Sequence, residues 1–347
     1  MDECSGVYSI FCRLKYIGMA DLSLILGKNL KTLIENFQQP LVSVIMPCYN
    51  MGRFIGEALE SVGNQTFTNW EVIAVDDCGP EDGTKEAVEA FAKQFPNHRV
   101  IYHRHEKNGG VSAARNTAIG MAHGEYLAFL DPDDAWDAAK LEFSVGAFTK
   151  AGDIVLAHHP VKVSQFGATD SPFEDEGFKL GQESRIYRLS DEDYFLKKND
   201  ICTSTVVVSK EIFERIMFPT GMVFQFEDWV AWCLLGNHGR FAYQPEVLAT
   251  YRFHGSSFTF RQTQNSKIKL FANMEALFCI FSRSRDKAIL WKLGDRFVEL
   301  LVELFYKSSE NWRMQQKPVE KNSLVNVIFS SLFRKKMSNL LFLIKGR

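Results

Sequence analysis

The chain has 347 residues, 46% of them hydrophobic, the composition of a folded protein with a sizeable core rather than a disordered one. Forty lysines and arginines against 42 acids leave a formal charge of -2. No chain-wide field therefore steers it to nucleic acid, and any anion site must be local. Seven cysteines, Cys4, Cys12, Cys48, Cys78, Cys202, Cys233 and Cys279, are scattered, odd in number and without a CxxC pair. That pattern argues against a disulfide framework and a thiolate zinc site, and it fits a reducing cytoplasm. The start, Met-Asp-Glu-Cys, is not basic, and no apolar run reaches the roughly 18 residues of a spanning helix, so neither a leader nor a membrane span is expected.

Residues 1–40 contain DLSLILGKNLKTLIENF, in which Leu24, Leu26, Leu30, Leu33 and Ile34 can share one helical face. This N-terminal helical extension either packs on the rest of the chain or meets a membrane or a partner. From residue 41 short β-branched runs alternate with stretches of helical period, the pattern of a mostly parallel, Rossmann-like sheet flanked by helices. The spacing predicts strands at 42–46, 71–76, 99–103 and 126–130, and helices at 54–63, 84–95, 111–122 and 136–149. Beyond Gly152 the segments DIVLAHH and TSTVVVS read as further strands, and 165–185, rich in Gly, Ser, Asp and Glu, as an irregular excursion. An α/β domain over 41–260 is thus expected, followed by a helical region over 261–347. Within that region, 321–347 carry Lys321, Arg334, Lys335, Lys336, Lys345 and Arg347 and no acid, interleaved with apolar residues. Such a stretch can lie on an anionic membrane surface or pack as a helix on the core.

In an open parallel sheet, ligands bind beyond the carboxyl ends of the strands. Here the first predicted strand ends in Pro47-Cys48-Tyr49-Asn50, the second in Asp76-Asp77 and the fourth in Asp131-Pro132-Asp133-Asp134. Carboxylates that converge on one rim repel each other unless a cation joins them. Oxygen ligands select a hard ion, Mg²⁺ or Mn²⁺, and both suit a diphosphate. Asp131 before Pro132 is equally the pattern of a helix start, with Asp as cap and Pro in the first turn. A dinucleotide-binding dehydrogenase, the other α/β reading, is argued against by PCYNMG in place of the G-x-G-x-x-G fingerprint after the first strand.

The segments VSVIMPCYNMGRFIGEALESVGNQTFTNWEVIAVDDCGPEDGT, NGGVSAARNTAIGMAHGEYLAFLDPDDAW, FEDWVAW and YRFHGSS occur in this order and together span about 41–257. In this they resemble the family 2 glycosyltransferases, which share the GT-A fold. The resemblance implies that Pro47, Tyr49 and Asn50 line a nucleoside pocket and that Asp76 and Asp77 supply the carboxylate that contacts the base. A carboxylate can accept the imide N–H of uracil, and a Tyr ring offers a stacking face. Asn108, Gly110, Arg115 and Asn116 match the loop and helix beside the donor, where Arg115 would bind the nucleotide or else pair with an acid such as Asp131. Asp131 and Asp133 match the DXD motif, Asp131 near the ribose and Asp133 as the main ligand of the divalent metal, with Asp134 expected to cap the following helix.

Glu227 and Asp228 match the acceptor-side pair, with Asp228 as catalytic base and Glu227 in support, although two acids in a first helical turn also suit the helix dipole. His254 in Tyr251-Arg252-Phe253-His254 matches a histidine that closes over the donor, whereas His103, His105, His158 and His159 read as structural. The function implied is inverting transfer of a sugar from a nucleotide-diphosphate donor, a UDP-sugar, to a glycan or lipid-linked glycan in surface polysaccharide synthesis. The expected setting is the cytoplasm, at the inner face of the membrane, without a nucleic-acid partner. The alternatives are a sugar nucleotidyltransferase and a descendant that binds a nucleotide sugar or glycan without turnover.

Overall fold

The computed structural model describes residues 41–165, 182–191, 199–223, 226–255, 266–294, 296–297 and 300. The apolar segment within 1–40, the basic stretch 321–347 and residues 166–181 of the irregular excursion lie outside them. The chain divides into two compact units, Met1–Arg296 and Phe297–Arg347, and the second lies almost wholly outside the described residues.

The first unit begins with the alternation expected: β1 (Val42–Cys48), α1 (Ile55–Gly63), β2 (Trp70–Asp76), α2 (Thr84–Gln94), β3 (Val100–Arg104), α3 (Val111–Met121) and β4 (Tyr126–Phe129). After β4 come β5 (Ala135–Trp136), α4 (Lys140–Phe148), β6 (Ile154–His158), β7 (Lys162–Gln165) and β8 (Arg185–Tyr187). A short 3₁₀ turn at Thr203–Thr205 leads to β9 (Val207–Ser209), α5 (Lys210–Phe213), α6 (Glu227–Leu235), β10 (Arg240–Tyr243), β11 (Ala249–Phe253) and α7 (Ser266–Arg283).

Eight strands form one sheet in the order β3-β2-β1-β4-β9-β6-β10-β8. The half β3-β2-β1-β4 is parallel, as is β6 with β10, while β9 runs antiparallel between β4 and β6, and β8 is an antiparallel edge. A second sheet, β5-β11-β7, stands beside it. This is an α/β architecture with a mostly parallel central sheet, the fold class expected from the sequence.

All seven residues of β1 and of β2 are buried, as both faces of a central parallel strand must be when helices cover them. Val42, Val44, Met46 and Cys48 join Ile55, Leu59, Val62, Val72, Ala74 and Phe91 in one core cluster, and α3 packs against β1 and β2. On α1 the buried residues Ile55, Ala58, Leu59 and Val62 recur at helical spacing, which gives that helix its one apolar face. α7 packs against α6, so this part of the C-terminal helical region belongs to the first unit.

One helix departs from expectation. The segment predicted as helical from 136 starts at Lys140, because Ala135 and Trp136 pair instead with Thr250 and Ala249 of β11. His158 and His159 are structural, as read from the sequence: both are buried, and burial pushes each imidazole down to about 3.

Candidate active site

Because β1, β2 and β4 are parallel neighbours, their carboxyl ends share one edge, and there the loops surround a cleft of about 870 Å³. Of the residues singled out from sequence, Pro47, Tyr49, Asn50, Asp77, Asn108, Gly110, Arg115, Asp131, Asp133, Glu227 and Asp228 line it. Asp76, Asn116 and His254 do not.

The β1 loop is fixed by close backbone contact. Asp82 accepts hydrogen bonds from the Gly52 amide (2.7 Å) and the Thr84 amide (3.0 Å), tying this loop to the one before α2. A Cβ on Gly52 would lie 1.8 Å from the Asp82 carbonyl oxygen, so only glycine allows the approach. Tyr49 is left 51% exposed on the cleft wall, an aromatic face with no core to fill.

Asp76 and Asp77 are adjacent but do different things. Asp76, expected at the nucleoside, instead accepts from Tyr102 (2.7 Å), Arg104 (2.5 Å) and the Gly79 amide (2.7 Å), and so pins β3 and the turn after β2. Asp77 lies one residue beyond the strand and takes His105 Nδ1 (2.7 Å) and the Gly109 amide (2.9 Å) on Oδ1 and the Gly110 amide (2.6 Å) on Oδ2. Gly110 can present that amide because its φ of 85° is one that side-chain-bearing residues avoid. Asn108 adds a bond from its side-chain amide to the Asp77 carbonyl (3.1 Å). His105 is thus a support for Asp77, its other nitrogen meeting Thr117 Oγ1 at 2.9 Å, in line with the structural role read from sequence.

Arg115 links the two sides of the cleft. Buried to 4% exposure, its guanidinium donates to Glu227 Oε1 (2.6 Å) and to Asp131 Oδ1 (2.8 Å) and lies over the Phe218 ring. Of the two roles open to it in the sequence, the pairing with acids is the one its contacts support. Asn116, one residue on, clamps the Phe218 backbone through both its amide atoms (2.9 and 3.0 Å), a structural task away from the cleft.

No helix starts at Asp131-Pro132, and Asp134 does not cap one. Asp134 is fully buried and accepts from Ser204 Oγ (2.5 Å) and the Arg252 amide (3.0 Å). Burial pushes its carboxyl well above the usual range, and the charges of Asp133 and Asp131 add to that shift. It braces β11 against the loop after β4, leaving Asp131 and Asp133 on the cleft. His254 Nε2 lies 3.1 Å from Asp133 Oδ2, and its ring stacks on Phe54 at 4.6 Å.

The acids at the start of α6 form the opposite wall. Burial pushes Glu227 up to about 7; Arg115 pulls it down and Asp228 pushes it up. Burial also raises Asp228, against the pull of Arg115 and of three hydrogen bonds: Asn199 Nδ2 (2.9 Å) and the Trp229 amide (2.7 Å) on Oδ1, and Thr203 Oγ1 (3.1 Å) on Oδ2. Sequence reasoning missed the run Asn199-Asp200-Ile201-Cys202-Thr203, every residue of which lines the cleft. The signal available was a polar NDICTST immediately before a strand, at the kind of position where the sheet carries its other site residues.

Among the described residues no group of three His, Cys, Asp or Glu side chains is gathered to hold a metal ion. The donor set still fits a hard cation that partners a diphosphate. Mg²⁺ and similar ions bind to one or two carboxylates plus substrate phosphates rather than in an all-protein cage. Asp131 and Asp133 supply two such carboxylates, each with one oxygen engaged by a neighbour, Arg115 and His254 respectively.

Comparison with known proteins agrees with this architecture. The family model Glycosyl transferase family 2 matches residues 43–217, half of the chain. TuaG of Bacillus subtilis (strain 168), named as a teichuronic acid biosynthesis glycosyltransferase, is 32% identical over 245 residues, which are 68% of this chain and 88% of TuaG. WfgD of Escherichia coli, named as a UDP-Glc:alpha-D-GlcNAc-diphosphoundecaprenol beta-1,3-glucosyltransferase, is 40% identical over 110 residues, 32% of this chain and 42% of WfgD. Among solved structures, S. aureus TarS 1-349 in complex with UDP superposes with a TM-score of 0.56 at 20% identity, covering 80% of this chain and 75% of that one. Mannosyltransferase PcManGT from Pyrobaculum calidifontis, in complex with GDP-Man and Mn²⁺, gives 0.53 at 16% identity, covering 88% and 81%. With the family model over half of its length and a relative 32% identical across two thirds of it, this chain is a glycosyltransferase and belongs to glycosyl transferase family 2.

Proposed function

We propose that the enzyme moves a sugar from a nucleoside diphosphate, preferentially UDP, to a hydroxyl of a glycan or lipid-linked glycan, inverting the anomeric carbon, as a step in surface polysaccharide synthesis. One observation carries this reading: Arg115 ties Asp131, beside the diphosphate side, to Glu227, next to Asp228 on the far wall of the same cleft. A donor and an acceptor bound between these walls would place the anomeric carbon between a leaving diphosphate and a carboxylate. TarS bound to UDP and to UDP-GlcNAc, and WfgD with its UDP-Glc donor, undecaprenol-linked acceptor and beta product, support the donor and acceptor classes. A lipid-linked acceptor would be met at the cytoplasmic face of the membrane. Among the described residues no helix is long and apolar enough to cross one.

Tyr49 supplies the stacking face for the base, and Asp77 Oδ2, which takes only one backbone amide, keeps capacity for an imide N–H. Asp131 and Asp133 would hold Mg²⁺ or Mn²⁺, whose charge offsets that of the leaving diphosphate. The acceptor oxygen bonds to the anomeric carbon as the carbon–oxygen bond to the diphosphate breaks, and the hydroxyl proton passes to Asp228. No covalent enzyme intermediate is required.

Titration calorimetry tests the donor side. UDP should bind at least about tenfold, or 1.4 kcal/mol, more tightly with Mn²⁺ than with chelator, and Asp133→Asn should remove most of that difference. Equal binding with and without metal would sink the metal assignment. Tighter binding of GDP, the nucleotide that accompanies mannose in PcManGT, would overturn the base assignment at Asp77.

A further inference from the structure

The run 199–203 has no part in the chemistry described so far, yet two of its side chains bond to Asp228. Asn199 Nδ2 reaches Oδ1 and Thr203 Oγ1 reaches Oδ2, at 2.9 and 3.1 Å. The Asn199 amide can sit only one way round, since its carbonyl oxygen in that place would face a carboxylate oxygen with no proton between them. The donors are also unequally shared. Oδ1 takes two, Asn199 and the Trp229 amide, and is saturated; Oδ2 takes Thr203 alone and keeps one lone pair.

We propose that Asn199 and Thr203 are positioning residues for the base: they fix the Asp228 carboxylate in the cleft and leave Oδ2 as the oxygen that takes the acceptor proton. The proposal rests on the reading of Asp228 as base. In the step, the acceptor O–H proton goes to Oδ2, the acceptor oxygen bonds to the anomeric carbon, and the electron pair of the breaking bond leaves on the diphosphate.

Neutral donors suit this place better than cations would. A hydroxyl and an amide favour the ionised carboxylate against the burial that raises it, without forming an ion pair that would hold it too firmly to accept a proton. The charged and titratable groups around Asp228 are Arg115 on α3, Glu227 on its own helix, Asp200 and Cys202 on the run, and Cys233 further along α6. Arg115 is already bonded to Glu227 and Asp131, which leaves Asn199, Thr203 and the Trp229 amide to hydrogen-bond the base itself.

Two measurements test it. The rate of UDP release from UDP-glucose and UDP-N-acetylglucosamine is followed against pH for wild type, Asn199→Ala, Thr203→Val and Thr203→Ser. The Ala and Val variants should be slower by about tenfold or more at neutral pH with the acid limb moved to higher pH, and Thr203→Ser should return toward wild type. The second needs no substrate. Loss of a donor raises the Asp228 value further in the folded protein, so stability present below the unfolded value is lost as pH rises. The melting-temperature deficit of Thr203→Val should therefore be smallest at acid pH, grow as pH rises through the folded value, and lose that slope in an Asp228→Asn background. A deficit flat with pH, or a pH–rate profile equal to wild type, would overturn the proposal. If Asp228→Asn itself kept its transfer rate, the base reading would fall; if it lost activity while the Thr203 and Asn199 variants behaved as wild type, only the positioning role would.

Discussion

Asp228→Asn is expected to lower sugar transfer by about 10²-fold or more while leaving UDP affinity close to that of wild type. The substitution keeps the size of the side chain and one acceptor oxygen but removes its ability to take a proton. Donor affinity is expected to survive because the proposed nucleotide side, Tyr49, Asp77, Asp131 and Asp133, lies on loops after β1, β2 and β4, whereas Asp228 lies in the first turn of α6. Asp228 also sits in a buried wall where burial raises its carboxyl, so an amide there is tolerated as well as an acid, and melting temperatures of the two proteins at neutral pH should be similar. Transfer at near wild-type rate would remove Asp228 as base and pass the role to Glu227. Loss of UDP binding would mean that this acid belongs to the donor side.

Arg115→Met is the substitution with the largest expected effect on stability. It leaves Glu227, 8% exposed, and Asp131 facing each other without the cation between them. Removing one member of a buried ionic set costs about 3–5 kcal/mol, because the remaining charge stays out of water unpaired. The cost should depend on pH. Glu227 already stands near 7 with the guanidinium present, and without it the group moves higher still. Since its folded value lies above the unfolded one near 4.5, the stability it contributes is present at low pH and lost as pH rises through the folded value. Urea melts should thus show a deficit that is small near pH 5 and large near pH 8, with Glu227→Gln restoring part of the loss in the double variant. A deficit of under about 1 kcal/mol at pH 8 would mean that Arg115 contributes little to joining the two walls.

The parallel half of the sheet was legible because β1 and β2 are short Val- and Ile-rich segments buried along their whole length, β4 is a short apolar one, and all three run into polar loops. The reversal at β9 was not legible. A strand of three residues carries no direction in its composition, and only its partners Tyr126–Ala128 on one side and Leu156–Ala157 on the other reveal it. Motif matching located the rim but not the task of each acid. Asp76 ends a strand beside Arg104 and Tyr102 of β3 and is consumed there, while Asp77, one residue later, escapes the strand and meets the glycine loop. Asp134 reads as a helix cap in sequence; in the fold it turns inward because Trp136 joins β11 and carries the chain under Ser204. Asn199 and Thr203 stand 29 and 25 residues before the acid they hold, a separation over which no local pattern points from one to the other.

The proposed reaction is a direct displacement across the cleft, with the diphosphate on the Asp131 and Asp133 side and Asp228 opposite. Its most direct test is the anomeric configuration of the sugar transferred from an α-linked UDP-sugar by the wild-type enzyme, read from the proton NMR spectrum of the isolated product. A β-linked product is expected, since attack from the Asp228 side must come opposite the leaving group. An α-linked product would contradict it, because one displacement from the face opposite the leaving diphosphate must invert the anomeric carbon.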